Sequence, residues 1–276
     1  MARSSARLAN LLYWSQVFFF FSGATGLIYQ VLWTRRLTLT YGHTVLAVST
    51  VLTAFMAGLA LGSLVVGRSS DARVGQVDGA KFLAYYGWLE GFIGVWALAT
   101  LPMLGLVEKA YVHLASNGTS GLPLHVACFI GAGLVLIPPT TAMGGTVPLL
   151  TRLLVHRQED LGRILSRLYG LNTLGAVVGA GLAGFVLLPS LGLVLTLILT
   201  ALVNLAIGVS AVRLGNSTAL GVGPAQDERS ASASLPAKLW VIPLCFALAG
   251  GASMAYQVAW NRALALSLGS SVYAFS

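Results

Sequence analysis

Residues Thr44 to Gly67, TVLAVSTVLTAFMAGLALGSLVVG, decide the fold of this chain. They contain no Asp, Glu, Lys or Arg, and an apolar run of about 20 residues crosses a bilayer as a helix. Spanning segments must be helices or strands of a closed barrel, because hydrocarbon offers the backbone no hydrogen-bond partners. Barrel strands alternate polar and apolar residues, whereas this run is apolar throughout. We therefore predict an all-α, multi-pass transmembrane bundle, and similar runs occur at Leu8–Thr34, Ala110–Thr151 and Leu168–Val212.

Composition and charge agree with a membrane protein. The chain is 57% hydrophobic and 9% charged, whereas soluble domains carry about 25% charged residues. The pattern predicts seven spans, at 11–33, 44–67, 82–106, 122–142, 164–188, 190–212 and 239–260. With a cytoplasmic N-terminus, twelve Lys and Arg fall inside and four outside, as the positive-inside rule requires. This bias explains the net charge of +8 without nucleic acid and predicts a multi-pass protein of the cell inner membrane.

Two stretches separated by 227 positions are similar in sequence. Ser22–Ser49, SGATGLIYQVLWTRRLTLTYGHTVLAVS, and Ala249–Ser276, AGGASMAYQVAWNRALALSLGSSVYAFS, share twelve of 28 residues. Six predicted spans separate the two stretches, so both cross in the same direction, as in the parallel repeats of some transporter folds. We expect a first six-span repeat over 1–214, a flexible cytoplasmic linker over 215–238, and the first span of a second, incomplete repeat over 239–276.

The second copy of the repeat stops where its second helix should begin. We therefore expect the chain to be part of something longer, with the lipid bilayer and either other membrane subunits or missing C-terminal sequence as its partners. We also expect Ala249–Tyr256, which carries Gly250 and Gly251, to lie at a protein contact within the bundle or across chains.

Four motifs in order carry a family resemblance. They are Ser22–Arg35, AFMAGLALGS at Ala54–Ser63, MGGTVPLL at Met143–Leu150 and LYGLNTLGA at Leu168–Ala176. Together they resemble the membrane domain of spermidine-synthase-like proteins, the fused transporter-like/spermidine synthase family. The first motif departs from the family pattern, because Gln30 follows Tyr29 where the family has glutamate. The resemblance implies a soluble aminopropyltransferase-like domain in such proteins, and that domain is absent from this chain.

Glu90 is the most suggestive single residue. It lies about eight residues into the third predicted span, or about 12 Å deep at 1.5 Å per residue, and a charge at such depth is costly. One interpretation is a proton or cation site, and the other is a protonated or hydrogen-bonded packing residue. We group Glu90 with Tyr29, Gln30 and Asn172 as a candidate intramembrane polar site.

A run of prolines and glycines interrupts the fourth span. Because proline removes a backbone donor, we predict non-helical backbone within 137–147 and a separate short helix from Pro148 to Val155. Broken helices form the binding sites of some transporters, although they are also simple kinks. The residues of this candidate broken-helix site are Pro138, Pro139, Gly144, Gly145 and Thr146.

Other small-residue patterns predict packing instead of chemistry. Gly58 and Gly62, like Gly175 and Gly179, are one helical turn apart, which allows close helix approach in lipid. The segment Gly179–Gly184 also fits G-x-G-x-x-G, but it lacks the strand before it and the acid about 20 residues on that a dinucleotide site needs. We therefore predict no cofactor, and no histidine or cysteine spacing indicates a metal site.

Three hypotheses about function remain open at this point. The leading one is a transporter-like or scaffold module with no catalytic site in this chain. The second is the membrane anchor of an aminopropyltransferase-like enzyme, whose activity requires a catalytic domain beyond Ser276. The third is an accessory subunit of a larger membrane complex.

Overall fold

The computed structural model describes residues 2–42, 44–155, 158–218 and 240–268. These ranges contain helices and no β-strand, which confirms the predicted all-α fold. A short 3-10 turn at Gln158–Asp160 precedes the fifth helix, and a π-helical segment at Ala183–Leu187 joins the fifth helix to the sixth. The helices are α1 (Ala2–Tyr41), α2 (Thr44–Asp71), α3 (Lys81–Ser116), α4 (Leu122–Leu154), α5 (Leu161–Leu182), α6 (Leu188–Ser217) and α7 (Val241–Leu268).

Six stretches of the described residues are long and apolar enough to cross a membrane. One of them, Leu161–Ser217, has 57 residues and would be about 86 Å long at 1.5 Å per residue. Because the hydrocarbon core is about 30 Å thick, this stretch must cross more than once. Gly192 interrupts it with φ 72° and ψ 179°, a conformation that is essentially restricted to glycine. The architecture is therefore consistent with about seven spans.

Contacts between helices give the relative directions of α1, α3, α5 and α6. Ser22 meets Glu90 and Trp33 meets Thr100, so α1 and α3 run in the same direction. A Cβ on Gly87 would approach Gly208, and one on Gly94 would approach Ala201, so α6 runs opposite to α3. Gly175 lies against Phe20 and Gly179 against Ala24, so α5 is parallel to α1. The chain therefore reverses between α5 and α6.

The predicted break in the fourth helix is wrong. Helix α4 continues from Leu122 to Leu154 with Pro138, Pro139 and Pro148 inside it. Proline at 139 has no N–H for the carbonyl of Val135, four residues earlier, but Trp96 Nε1 on α3 donates to that oxygen at 3.0 Å. A neighbouring helix thus supplies the missing donor, which is how transmembrane helices tolerate proline.

We expect Trp96→Phe to destabilise the bundle by about 1 kcal/mol, the net value of one hydrogen bond. Phenylalanine retains the ring contact with Phe92, whose centroid lies 5.5 Å from that of Trp96, but leaves the carbonyl of Val135 unpaired. The measurement is the unfolding free energy in detergent. Trp88→Phe is the matched control, because Trp88 lies on the same helix and is 69% exposed. An equal loss in both variants would contradict the assigned role.

Helix α7 lies apart from the buried core. Gly250 and Gly251 have no atom within 4 Å of a built Cβ, and of the stretch Ala249–Tyr256 only Met254 is partly buried. Within the described bundle, this stretch approaches α2 only through Met254 and Ala255, which line a cavity with residues of α2. The predicted linker falls almost entirely in 219–239, outside the described residues.

Candidate intramembrane polar site

Glu90 is fully enclosed in the bundle, with no exposed surface. Its Oε1 accepts a hydrogen bond from Ser22 Oγ of α1 at 2.5 Å. Its Oε2 accepts one from Asn204 Nδ2 of α6 at 2.6 Å. One carboxylate on α3 therefore connects three helices, and both of its oxygens have a partner.

The network continues through Asn204 to the aromatic residues of α1. Asn204 Oδ1 accepts a hydrogen bond from the Tyr29 hydroxyl at 3.0 Å. The Tyr29 ring stacks on Trp33 with centroids 5.5 Å apart, and Trp33 Nε1 donates to Thr100 Oγ1 at 3.2 Å. The side chain of Trp33 is completely buried. Polar groups thus line the buried junction of α1, α3 and α6.

Glycines on α3 bring the carboxylate close to α6. Gly87 and Gly94 lie three and four residues from Glu90, on the same face of the helix. A Cβ on Gly87 would be 2.6 Å from the carbonyl oxygen of Gly208, and one on Gly94 would be 2.9 Å from that of Ala201. Only glycine permits this approach, which places the short side chain of Asn204 within reach of Glu90.

Tyr86 completes the surroundings of the carboxylate. It lies one turn before Glu90 on α3 and is completely buried. Its hydroxyl faces Glu90 but makes no hydrogen bond of normal geometry with any described residue. The carboxylate therefore has one further polar neighbour on its own helix, in addition to the partners on α1 and α6.

The structure divides the predicted polar residues among three places. Tyr29 joins Glu90 through Asn204, whereas Asn172 donates to the carbonyl of Phe19 at 3.3 Å, where α5 crosses α1. Gln30 faces away from this network and lines a separate cavity. Ser22 is the first residue of the Ser22–Arg35 motif, but its hydrogen bond to Glu90 is not among the predictions. The signal that could have indicated it is the hydroxyl of Ser22, one of several polar groups in the first predicted span.

The remaining candidate residues lie where pairs of helices cross. A Cβ on Gly58 or Gly62 would overlap Thr140 or Thr141 of α4, and one on Gly144 would overlap Leu59 of α2. Gly145 faces Val66, and Thr146 donates to the carbonyl of Met143 in its own helix at 2.7 Å. The contacts of the four glycines place them at the α2–α4 interface.

Comparison with known proteins gives a limited set of relatives. The chain is 28% identical over 207 residues to polyamine aminopropyltransferase 2 of Streptomyces coelicolor, covering 70% of this chain and 32% of the relative. It is 32% identical over 177 residues to the polyamine aminopropyltransferase of Mycobacterium tuberculosis, covering 56% and 34%. The similarity is to polyamine aminopropyltransferases. The chain spans about a third of their length.

Two further comparisons found nothing. No protein-family model matches the chain, and no solved structure is similar to it. The relationship therefore comes from the sequence match alone.

Proposed function

We propose that this chain is the membrane module of a spermidine-synthase-like protein and acts as a transporter-like unit. The sequence match covers 70% of the chain but 32% of the Streptomyces relative. Since the described residues are helices of membrane-spanning type, the shared third is helical and membrane-like. The aminopropyl transfer named for the relatives then belongs to the two thirds that this match leaves out. We assign no catalytic step to the described residues.

The observation that carries the transport proposal is the enclosed carboxylate of Glu90. Among the described residues, its hydrogen-bond partners Ser22 and Asn204 are both neutral. A buried charge without an opposite charge costs several kcal/mol, of the order of the penalty for one desolvated ion. Intramembrane carboxylates accordingly mark proton and cation pathways.

The partners of Glu90 suit a group that changes its protonation state. The Ser22 hydroxyl donates to an ionised carboxylate and accepts from a protonated one, because a hydroxyl does both. Asn204 Nδ2 donates to the other oxygen in either state. We infer that Glu90 gains and loses a proton, or exchanges it for a cation, as the bundle moves a small metabolite. The metabolite we infer is a polyamine, the class named for the relatives.

The topology proposed with this function rests on the charge bias and on the two similar stretches of the sequence. The N-terminus and the 215–238 linker are cytoplasmic, and residues 1–214 form the first of two parallel repeats. The helix directions support this arrangement, since α1 and α3 run one way and α6 the other.

We expect Glu90→Gln to reduce spermidine flux into proteoliposomes by about tenfold or more, the factor that 1.4 kcal/mol represents. Glutamine has nearly the same shape but neither ionises nor releases a proton. Radiolabelled spermidine and an imposed pH gradient provide the assay. Thr200→Val is the matched control: Thr200 is buried on α6 one turn from Asn204, and its hydroxyl bonds only to the carbonyl of Thr196. Wild-type flux no faster than in empty liposomes would refute the transport proposal.

A scaffold or anchor is the second candidate function. It is favoured by the closure of the site, because Glu90 has no exposed surface and both its oxygens are hydrogen-bonded. A carboxylate in this position also serves a purely structural role, because its hydrogen bonds hold α1, α3 and α6 together. If the wild type shows no flux and Glu90→Gln lowers the unfolding free energy, the module is an anchor for an aminopropyltransferase-like domain or an accessory subunit.

A further inference from the structure

Helix α7 meets the rest of the bundle along one narrow stripe. Of its described side chains, only Met254, Gln257, Val258 and Asn261 are partly buried. Their spacing of three and four residues places them on a single helical face. Two of the four are carboxamides, which is unusual for a helix otherwise exposed to lipid. The two carboxamides of α7 therefore face the protein.

The two carboxamides close a chamber against α1. This chamber has a volume of about 170 Å³ and is lined by Gln257, Asn261, Gln30 and Thr34, together with apolar residues of α1, α2 and α5. The volume suits a molecule of a few non-hydrogen atoms. No Asp, Glu, Lys, Arg or His lines its wall.

The three carboxamides of the chamber are unpaired within the described part of the chain. Gln30, Gln257 and Asn261 make no hydrogen bond with any residue in the described ranges. An amide held away from water costs free energy unless its donors and acceptors are paired. All three side chains are partly buried, and their unpaired amide groups favour a polar occupant of the cavity.

The polar wall is made by equivalent positions of the two similar stretches. Gln30 corresponds to Gln257 and Thr34 to Asn261, both at the offset of 227 that aligns Ser22–Ser49 with Ala249–Ser276. Transporters built from repeats bind substrates between the repeats near the middle of the bilayer. The chamber likewise lies between the helices that carry the two similar stretches, α1 and α7.

We propose that the chamber of Gln30, Thr34, Gln257 and Asn261 binds a small uncharged molecule that carries both a hydrogen-bond donor and an acceptor, such as a carboxamide. Each lining carboxamide offers both functions, which complements such a ligand. An ion is disfavoured because no opposite charge lines the wall to offset its desolvation. This proposal goes beyond the function inferred from Glu90 and does not depend on transport.

The test uses a cysteine within the chamber. Thr34→Cys, in a chain carrying Cys128→Ala and Cys245→Ala, keeps all three carboxamides and is reconstituted in liposomes. The rate at which uncharged iodoacetamide alkylates this cysteine is compared with the rate for charged iodoacetate. Each rate is divided by the rate of the same reagent with Ser116→Cys, at the exposed end of α3. We expect iodoacetamide to react and iodoacetate to react at least about tenfold more slowly, a ratio equivalent to 1.4 kcal/mol.

Protection then identifies the class of ligand. We expect excess acetamide to slow the alkylation of Thr34→Cys by iodoacetamide about threefold, which corresponds to about 0.7 kcal/mol because a tenfold change is 1.4 kcal/mol. Acetate and methylammonium should not change the rate. Gln257→Leu should abolish the protection, whereas Gln76→Leu in an exposed turn should retain it. Protection by either ion, equal reaction with iodoacetate, or no reaction at Thr34→Cys would each overturn the proposal. None of these outcomes involves flux or Glu90, so failure here leaves the transport proposal separately testable.

Discussion

Gly62→Val is expected to prevent folding of the bundle. A Cβ at this position would overlap the carbonyl oxygen of Thr141 and lie 2.8 Å from the nitrogen of Gly145, both backbone atoms of α4. Backbone atoms of a helix do not move aside as a flexible side chain does, so α2 and α4 must separate. Overpacking in a core costs about 1–3 kcal/mol when side chains alone adjust, and a backbone overlap costs more.

The measurement is the yield of monodisperse protein by size-exclusion chromatography in detergent. Gly170→Val is the matched control, because Gly170 lies within α5, is exposed, and has no atom within 4 Å of a built Cβ. Gly170→Val makes the same change of residue within a helix as Gly62→Val, but without overlap between the new Cβ and a neighbouring helix. Folded Gly62→Val protein in the same yield as Gly170→Val would contradict the importance of this crossing.

These crossings show what the sequence can and cannot predict about packing. The spacing of Gly58 and Gly62 indicates a small-residue face, because glycines one turn apart leave a groove. The spacing does not indicate which helix fills the groove. That partner is α4, more than 70 residues further along the chain, where Thr140 and Thr141 meet the two glycines. The choice depends on the whole arrangement of helices.

The continuity of α4 was mispredicted for a similar reason. The prolines indicate a break when only their own helix is considered, because Pro139 cannot donate to Val135. The donor that replaces it, Trp96, is 39 residues away on α3. The sequence of α4 shows that the backbone donor is missing at Pro139, but it does not show that a side chain of α3 replaces that donor.

The polar site was partly predictable. The position of Glu90 deep in an apolar span indicated an important residue, but its partners are 68 and 114 positions away. Tyr29 and Gln30 both belong to the candidate polar site and are adjacent in sequence. Adjacent helical residues point about 100° apart, so Tyr29 faces α6 and Gln30 faces α7. The helical geometry could have separated them, whereas the partners required the tertiary structure.

Asn204→Leu is expected to destabilise the bundle by about 3 kcal/mol, within the range for breaking a buried, hydrogen-bonded charged group. Leucine is close to asparagine in size, so the packing of α6 is largely kept. The substitution leaves Glu90 Oε2 and the Tyr29 hydroxyl without their partners. Thr200→Val, one turn away, should cost less than about 1 kcal/mol, because its hydroxyl bonds only within its own helix.

A double-mutant cycle distinguishes the loss of the Glu90–Asn204 hydrogen bond from the loss of packed side-chain volume. Once Glu90→Met has removed the carboxylate, Asn204→Leu no longer leaves it unpaired, so the second substitution should cost less than in the wild type. The interaction energy should be at least about 1 kcal/mol, as for residues within one hydrogen-bond network. Reversible unfolding in mixed detergent micelles measures all four corners of the cycle. Additive effects would show that Glu90 and Asn204 stabilise the bundle independently, and the polar junction of α1, α3 and α6 would then not be a coupled unit.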